Sequence, residues 1–421
     1  MTSEDFETRH VKDVVSFAKG KPPAEQPYFG KDAELYLTPE YLRGGAFSEP
    51  IKANKNAVRV SGGETIVLWD GSNAGEVFRA RPGVLSSTMV HLKPENSFDD
   101  DYFFYAMKGW EGYLKGQTSG SGIPHVDKEV LGKLALLRYP INEQVKIAEI
   151  LATVDQAIEQ TEALIAKQQR IKTGLMQDLL TRGIDEHGQL RTEQTHAFKD
   201  SPLGRIPVEW ETDRIENLLA NVDPAMRSGP FGSALLKDEL TETGVPLLGI
   251  DNVHVERFVD RYIRFVDPEK AQALKRYLVR PDDIMITIMG TVGRCCVVPS
   301  DIGLALSSKH TWTISLDPER YRPYLACIQI NHAPWVLSHF AKDEQGGIMS
   351  SIKSDTLRST VFPVPPLDEA IKIESRLRAL DAELEVKKGL LNKLRHQKTA
   401  LMQDLLTGRK RVTDLLKPVA A

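Results

Sequence analysis

Two stretches of the chain carry apolar residues in steps of three and four. In the first, Ile147, Leu151, Val154, Ile158, Ile165, Leu175 and Leu179 share one stripe, with Thr161, Gln168 and Lys172 in the gaps. In the second, Ile373, Leu377, Leu380, Leu384, Leu391, Leu394, Leu401 and Leu405 do the same, and Lys387 and Lys398 fill the missing positions. This spacing predicts two long helices, each with a coiled-coil seam sustained for about five heptads. Pro140 and Pro366 precede them, where a missing amide does no harm, and Gly183 and Gly408 follow the last Leu-Leu pairs as stops. Elsewhere the pattern shortens. Residues 1–139 and 206–365 hold β-type runs at 65–69, 284–288 and 311–314, separated by Gly, Asp, Asn and Pro, with helical stretches at 101–115 and 321–340. Both segments therefore read as α+β.

The two long helices are copies of one another. Residues 175–181 and 401–407 both spell LMQDLLT, and 140–181 matches 366–407 at 18 of 42 positions at an offset of 226. A period of this length means a duplicated domain-sized unit, not a solenoid. One such stripe alone would equally suit a helix packed on a globular core. Two matched stripes in one chain favour pairing with each other as an antiparallel coiled coil, which would place the globular segments at opposite ends, related by a pseudo-two-fold axis. The order is then a first globular domain (1–139), a central helical spacer (140–183), a polar connector (184–205), a second globular domain (206–365), a distal helical spacer (366–408) and a C-terminal tail (409–421). The globular segments share a frame: Gly71-Ser72-Asn73-Ala74-Gly75 follows a strand as Gly290-Thr291-Val292-Gly293 does, and Ser86-Ser87 precedes a strand as Ser307-Ser308 does.

Bulk properties narrow the function. No apolar run approaches the roughly 20 residues a membrane helix needs. The acidic, polar start is no secretory signal, and Cys295, Cys296 and Cys327 form neither a disulfide framework nor a zinc quartet. A cytoplasmic setting is expected. The formal net charge of −4 argues mildly against phosphate binding, but basic and acidic residues nearly balance in each globular segment, so a local basic face is open to both. Phosphate loops, dinucleotide fingerprints, the Asn/Asp-Pro-Pro-aromatic motif of amino-methyltransferases, H-E-x-x-H and G-x-S-x-G are all missing. Neither a catalytic site nor a bound cofactor or metal is expected.

In order and spacing these residues resemble the specificity subunit of type I restriction–modification enzymes. The stretch Phe362-Pro363-Val364-Pro365-Pro366-Leu367-Asp368-Glu369 is similar to the family's lead into its second helix, Leu137-Arg138-Tyr139-Pro140 is its counterpart, and Leu203-Gly204-Arg205-Ile206-Pro207-Val208-Glu209-Trp210 looks like the start of a recognition domain. The first segment lacks such a start and opens at Thr8-Arg9-His10-Val11. The resemblance implies two target recognition domains, each reading half of a bipartite, asymmetric site on double-stranded DNA. It also implies helices that fix the spacing and dock two adenine methyltransferase subunits, which bind S-adenosylmethionine, with restriction/translocase subunits joining them. The alternative is a coiled-coil adaptor with two protein-binding heads and no DNA.

Loops with glycine, small polar side chains and a nearby cation suit approach to phosphates and base edges. The expected DNA-facing residues are Lys19, Lys21, Ser72, Asn73, Ser119, Ser121 and His125 in the first domain, and Arg227, Thr291, Arg294, Lys309, Ser350, Ser351 and Lys353 in the second. Because the helix ends repeat off the seam as well as on it, Gln177, Asp178, Leu179, Gln403, Asp404 and Leu405 are the expected partner-facing residues.

Overall fold

The computed structural model describes residues 7–118, 123–344 and 351–416. The chain divides into two compact units, one of residues 1–165 with 387–421 and one of residues 166–386. The first is built from two separate stretches and the second is one continuous stretch. The two long helices, Ile141–Thr181 and Leu367–Leu406, each contribute one half to each unit. The first of these helices lies within residues 140–183 and the second within residues 366–408.

In the first unit, strand Glu7–His10 runs antiparallel to Ala135–Arg138, which leads directly into the first long helix. Strands Val15–Lys19, Met89–Pro94, Thr65–Leu68 and Val77–Arg79 form an antiparallel sheet in that order. A second, mixed sheet orders Pro50–Ile51, Glu34–Leu37, Gly83–Leu85 and Arg59–Val60, with the middle pair parallel. Every residue of Thr65–Leu68 is buried because both of its faces are covered. Val67 packs into the helical core with Tyr102, Phe103, Met107, Ile147 and Leu151, while Ile66 and Leu68 pack with Leu37, Leu85 and Met89. Helix Asp100–Gly116 starts where the Asp99 carboxylate accepts from the Tyr102 amide, and it turns its aromatic run inward. Leu405 and Val412, from the far end of the chain, complete this core.

The second unit repeats the plan. Strand Glu211–Arg214 pairs antiparallel with Val361–Val364, which lies 226 residues beyond Ala135–Arg138 and leads into the second long helix. Its antiparallel sheet orders Met226–Ser228, Thr311–Ile314, Ile284–Thr287 and Cys295–Val297. Its mixed sheet again contains one parallel pair, Val245–Leu248 with Leu306–Ser307. Ile284 and Ile286 face a core built with Leu179, Leu180, Ile373 and Leu377, and Met285 faces the opposite side. The helical stretch expected at 321–340 is two helices, Pro323–His332 and Pro334–Glu344, broken where Pro334 cannot continue the ladder.

Within each unit the long helices pair antiparallel. In the first, Arg395 reaches Glu162 at 2.6 Å and Lys398 reaches Asp155 at 2.5 Å, so numbers fall on one helix as they rise on the other, and Arg411, just past the second helix, reaches Glu143 at 2.6 Å. In the second, Lys172 reaches Asp381 at 2.6 Å and Arg191 reaches Glu369 at 2.5 Å. Two lysines that interrupt the seam, Lys172 and Lys398, therefore pair with the aspartate opposite. Burial works against charge on Lys172, but the hydrogen bonds it donates to Asp381 and Glu256 outweigh it and hold its pKa above the ordinary lysine value.

Residues 184–205, expected as a connector, are tied down. Ile184 is buried and bridges Leu190, and Phe198–Ser201 forms a hairpin with Gly204–Pro207. The expected domain start at 206 falls inside that hairpin. Polar composition hid this order because the tie is ionic: the buried Glu369 carboxylate accepts from the Ile184 amide, both Arg191 nitrogens and the Trp210 ring nitrogen.

Candidate nucleic-acid interface

The expected residues of the first unit gather at one end of its antiparallel sheet. The turn 69–76 joins two strands and is held from both sides. The Trp69 amide donates to the Thr88 carbonyl at 2.7 Å, the Gly71 amide to Pro124 at 2.9 Å and the Val126 amide to Trp69 at 2.9 Å, with a bridge between Asp70 and His125. Ser72, Asn73 and His125 are exposed on this joined surface. Lys19, at the end of its strand, donates to Asp70 at 2.7 Å, and Lys21 is exposed two residues on. Ser119 and Ser121 lie outside the described residues.

The second unit holds the equivalent turn, 288–294, in the same manner. The Ile288 amide donates to the His310 carbonyl at 3.0 Å, the Gly293 amide to Thr287 at 2.9 Å and the Arg294 amide to the Thr287 hydroxyl at 3.0 Å. The Trp312 ring nitrogen donates to the Ile352 carbonyl at 3.2 Å, which brings Ser351 and Lys353 to this sheet. Thr291 and Arg294 are half-buried, Lys309 and Lys353 exposed. Ser350 lies outside the described residues.

Arg227 departs from expectation. Its side chain is only 2% exposed and pairs with Asp283. Its Nε donates to the Leu278 carbonyl at 2.7 Å and its Nη1 to the Ser315 hydroxyl at 3.0 Å. Those donors serve the protein interior, so Arg227 is a core ion pair and not a surface cation.

Several residues at these edges escaped sequence reasoning. Gly20 and Gly229 occupy matching places. The Gly20 amide donates to Met89 on the neighbouring strand and the Gly229 amide to Ser308 just past one, and a Cβ would collide with the Ser86 or Ser307 carbonyl. The signal was the shared cation-or-serine–glycine pair at a strand end, too short to notice alone. His310, between Lys309 and the turn, has its pKa lowered by burial and then by the positive charges of Lys309 and Arg264. Arg264 pairs with Asp251, and both are about a third exposed.

Of the expected partner-facing residues, Gln177 and Gln403 are exposed, while Asp178 faces Arg182 at 3.4 Å and Asp404 faces Lys410 at 2.7 Å. Leu179 and Leu405 are buried in the cores of their own units, because the seam period carries them inward. In the first unit Gln403 lines a groove of about 410 Å³ with Trp110, Leu137, Met402 and Leu406. Among the described residues no helix is long and apolar enough to cross a membrane, and no group of three His, Cys, Asp or Glu side chains is placed to hold a metal ion.

The sequence profile of the type I restriction modification DNA specificity domain matches residues 3–168. The type I restriction enzyme MjaVIII specificity subunit of Methanocaldococcus jannaschii is 30% identical over 98% of this chain and 94% of its own length. The EcoBI specificity subunit of Escherichia coli is 22% identical over 76% of this chain and 67% of its own. Among solved structures, the S subunit of a type I restriction-modification system from M. genitalium superposes with a TM-score of 0.58 at 16% identity, covering 96% of this chain and 97% of that one. A chain from a structure describing assembly and conformational transition of a type I R-M system superposes with a TM-score of 0.55 at 13% identity. At these identities the solved structures establish the fold.

Proposed function

Because the chain belongs to the family of type I restriction–modification specificity subunits, we propose that it reads a bipartite, asymmetric DNA site, one half with each unit. It is the non-catalytic member of its enzyme, and catalysis resides in other subunits. The observation that carries the reading is the shared sheet end: two units of one frame hold turns 69–76 and 288–294 in the same way, yet line them with different side chains. A common scaffold with divergent tips is what two readers of different half-sites require, since phosphate contacts position a protein and side chains at base edges specify.

On this reading Lys19, Lys21, Ser72, Asn73 and His125 face one half-site, and Thr291, Arg294, Lys309, Ser351 and Lys353 face the other. The domains are the two globular segments, and the spacers are the long helices. The partners are double-stranded DNA, two methyltransferase subunits docked near Gln177-Asp178 and Gln403-Asp404, and restriction/translocase subunits. The working compartment is the cytoplasm. The adaptor alternative has no support among the relatives. The test is binding of the full chain in its native complex to random-sequence duplex across a salt titration, followed by mapping of methylated adenines in the source genome. DNA reading predicts log affinity falling linearly with log salt, about 0.9 per phosphate contact, and two fixed half-sites around a free spacer. Salt-independent binding with no shared motif would return the protein to the adaptor class.

A further inference from the structure

The reading edge of the second unit contains a charged pair that its fold does not complete. Arg264 precedes strand Phe265–Val266, and Asp251 follows strand Val245–Leu248. Among the described residues the guanidinium has one side-chain partner, Asp251 Oδ1, through Nη2. The inner atoms, Arg264 Nε and Asp251 Oδ2, are buried without a hydrogen-bond partner, and so are Thr291 Oγ1 and Ser308 Oγ. The four belong to one neighbourhood. The Ser308 amide donates to Leu248 at 2.8 Å, a Cβ on Gly290 would lie 3.8 Å from Ile250, and any side chain at Gly249 would strike the Arg264 guanidinium.

The ionic joints of the same unit behave differently. Glu369 is saturated by four donors from Ile184, Arg191 and Trp210. A buried polar group without a partner costs about 1–3 kcal/mol, so native proteins keep few of them, and this joint is less closed than the one at Glu369. Arginine offers five donors in a planar fork, and Asp251 engages one. The carboxylate fixes the plane of the fork and leaves Nη1 and the second Nη2 hydrogen unengaged on a side chain about a third exposed.

We propose that Arg264, oriented by Asp251, reads a base in the half-site of the second unit, and that the base is guanine. The assignment rests on the DNA-reading function above. Guanine presents two acceptors, O6 and N7, side by side in the major groove, and the arginine fork matches them in a bidentate contact. Lysine, a point charge, does not reproduce that match. The first unit provides a contrast: the end of its antiparallel sheet carries Lys19 on Asp70, a pair suited to a phosphate. Lys309 lies in the same neighbourhood and supplies charge without a fork.

The test is selection from a pool of fully randomised duplex by the full chain in its native complex, wild type against Arg264→Lys and Arg264→Ala, with thermal melting to confirm folding. Wild type should select at least one G·C pair in the half-site of the second unit. Arg264→Lys keeps the partner of Asp251, yet it should lose discrimination at that one base pair by about tenfold or more, with every other position and the first half-site unchanged. Arg264→Ala should lose it at the same position. Retention of all positions by both folded variants, or a second half-site with no G·C pair, overturns the assignment while leaving DNA reading intact. Failure of wild type to select any sequence overturns DNA reading itself.

Discussion

At the scale of single residues, the two sheet ends separate cations that support the fold from cations that face outward. Lys309 is exposed and makes no ion pair among the described residues, so replacing it with alanine removes charge without opening the core. Lys309→Ala should weaken binding to target and random duplex alike and lower the salt slope by about 0.9, an outcome read from filter binding at several salt concentrations. His310 makes a second prediction. Burial, then Lys309 and Arg264, hold its pKa below the ordinary histidine value in the free protein. An approaching phosphate opposes those charges and raises it. The bound state therefore takes up a proton, so affinity should be greatest below the free-state pKa and decline as pH rises through the bound-state value. His310→Ala should flatten that profile between roughly pH 5 and 7, and a slope that persists in the variant would exclude this histidine as its source. Loop chemistry in the sequence indicated the turns around Ser72 and Thr291 because glycine and small polar residues mark them directly. It misplaced Arg227, since nothing in one chain signals that an arginine beside Ser228 and Gly229 finds Asp283 and Ser315 from distant strands.

At the scale of elements, the long helices were legible almost completely, because heptad spacing, flanking proline and terminal glycine all act locally. Their ionic fastenings were not, since these depend on which residues the antiparallel pairing brings opposite. Lys172 and Lys398 appeared as seam defects and are cross-helix ion pairs. Glu369 repeats Glu143 at the start of each helix, and each is closed by an arginine downstream of the other helix, Arg191 and Arg411. These partners do not share the 226-residue offset, so the duplication could not reveal them. Arg191 and Glu369 are 10% and 7% exposed, so removal of one strands the other. Glu369→Ala should cost about 3–5 kcal/mol, seen as a lower denaturant midpoint of the full chain. The cost should be larger than for alanine at Glu162, whose partner Arg395 is more than half exposed and whose pair is worth about 0–1 kcal/mol. Equal effects would mean that the buried joint contributes no more than a surface pair.

At the scale of the whole molecule, a boundary drawn along the chain misdescribes what folds together. The sequence implied six consecutive segments, whereas each compact unit combines one globular segment with a half of each helix. The consequence concerns assembly. The motif LMQDLLT closes the first helix in the second unit and the second helix in the first unit, so each unit presents one copy, with Gln177 or Gln403 exposed and Leu179 or Leu405 turned inward. The buried leucines explain why the seam repeats, but they leave the exposed glutamines unexplained. An identical surface retained on both units fits one kind of partner bound twice. Native mass measurement of the co-expressed complex should therefore give two methyltransferase subunits per copy of this chain. Gln403→Arg should reduce that to one without lowering the melting temperature, because its side chain supports no core, and Gln177→Arg should do the same from the other unit. The double variant should leave the chain folded and without methyltransferase. A saturated complex holding one methyltransferase in the wild type, or two in the double variant, would show that the repeated helix ends serve only the packing of the helices.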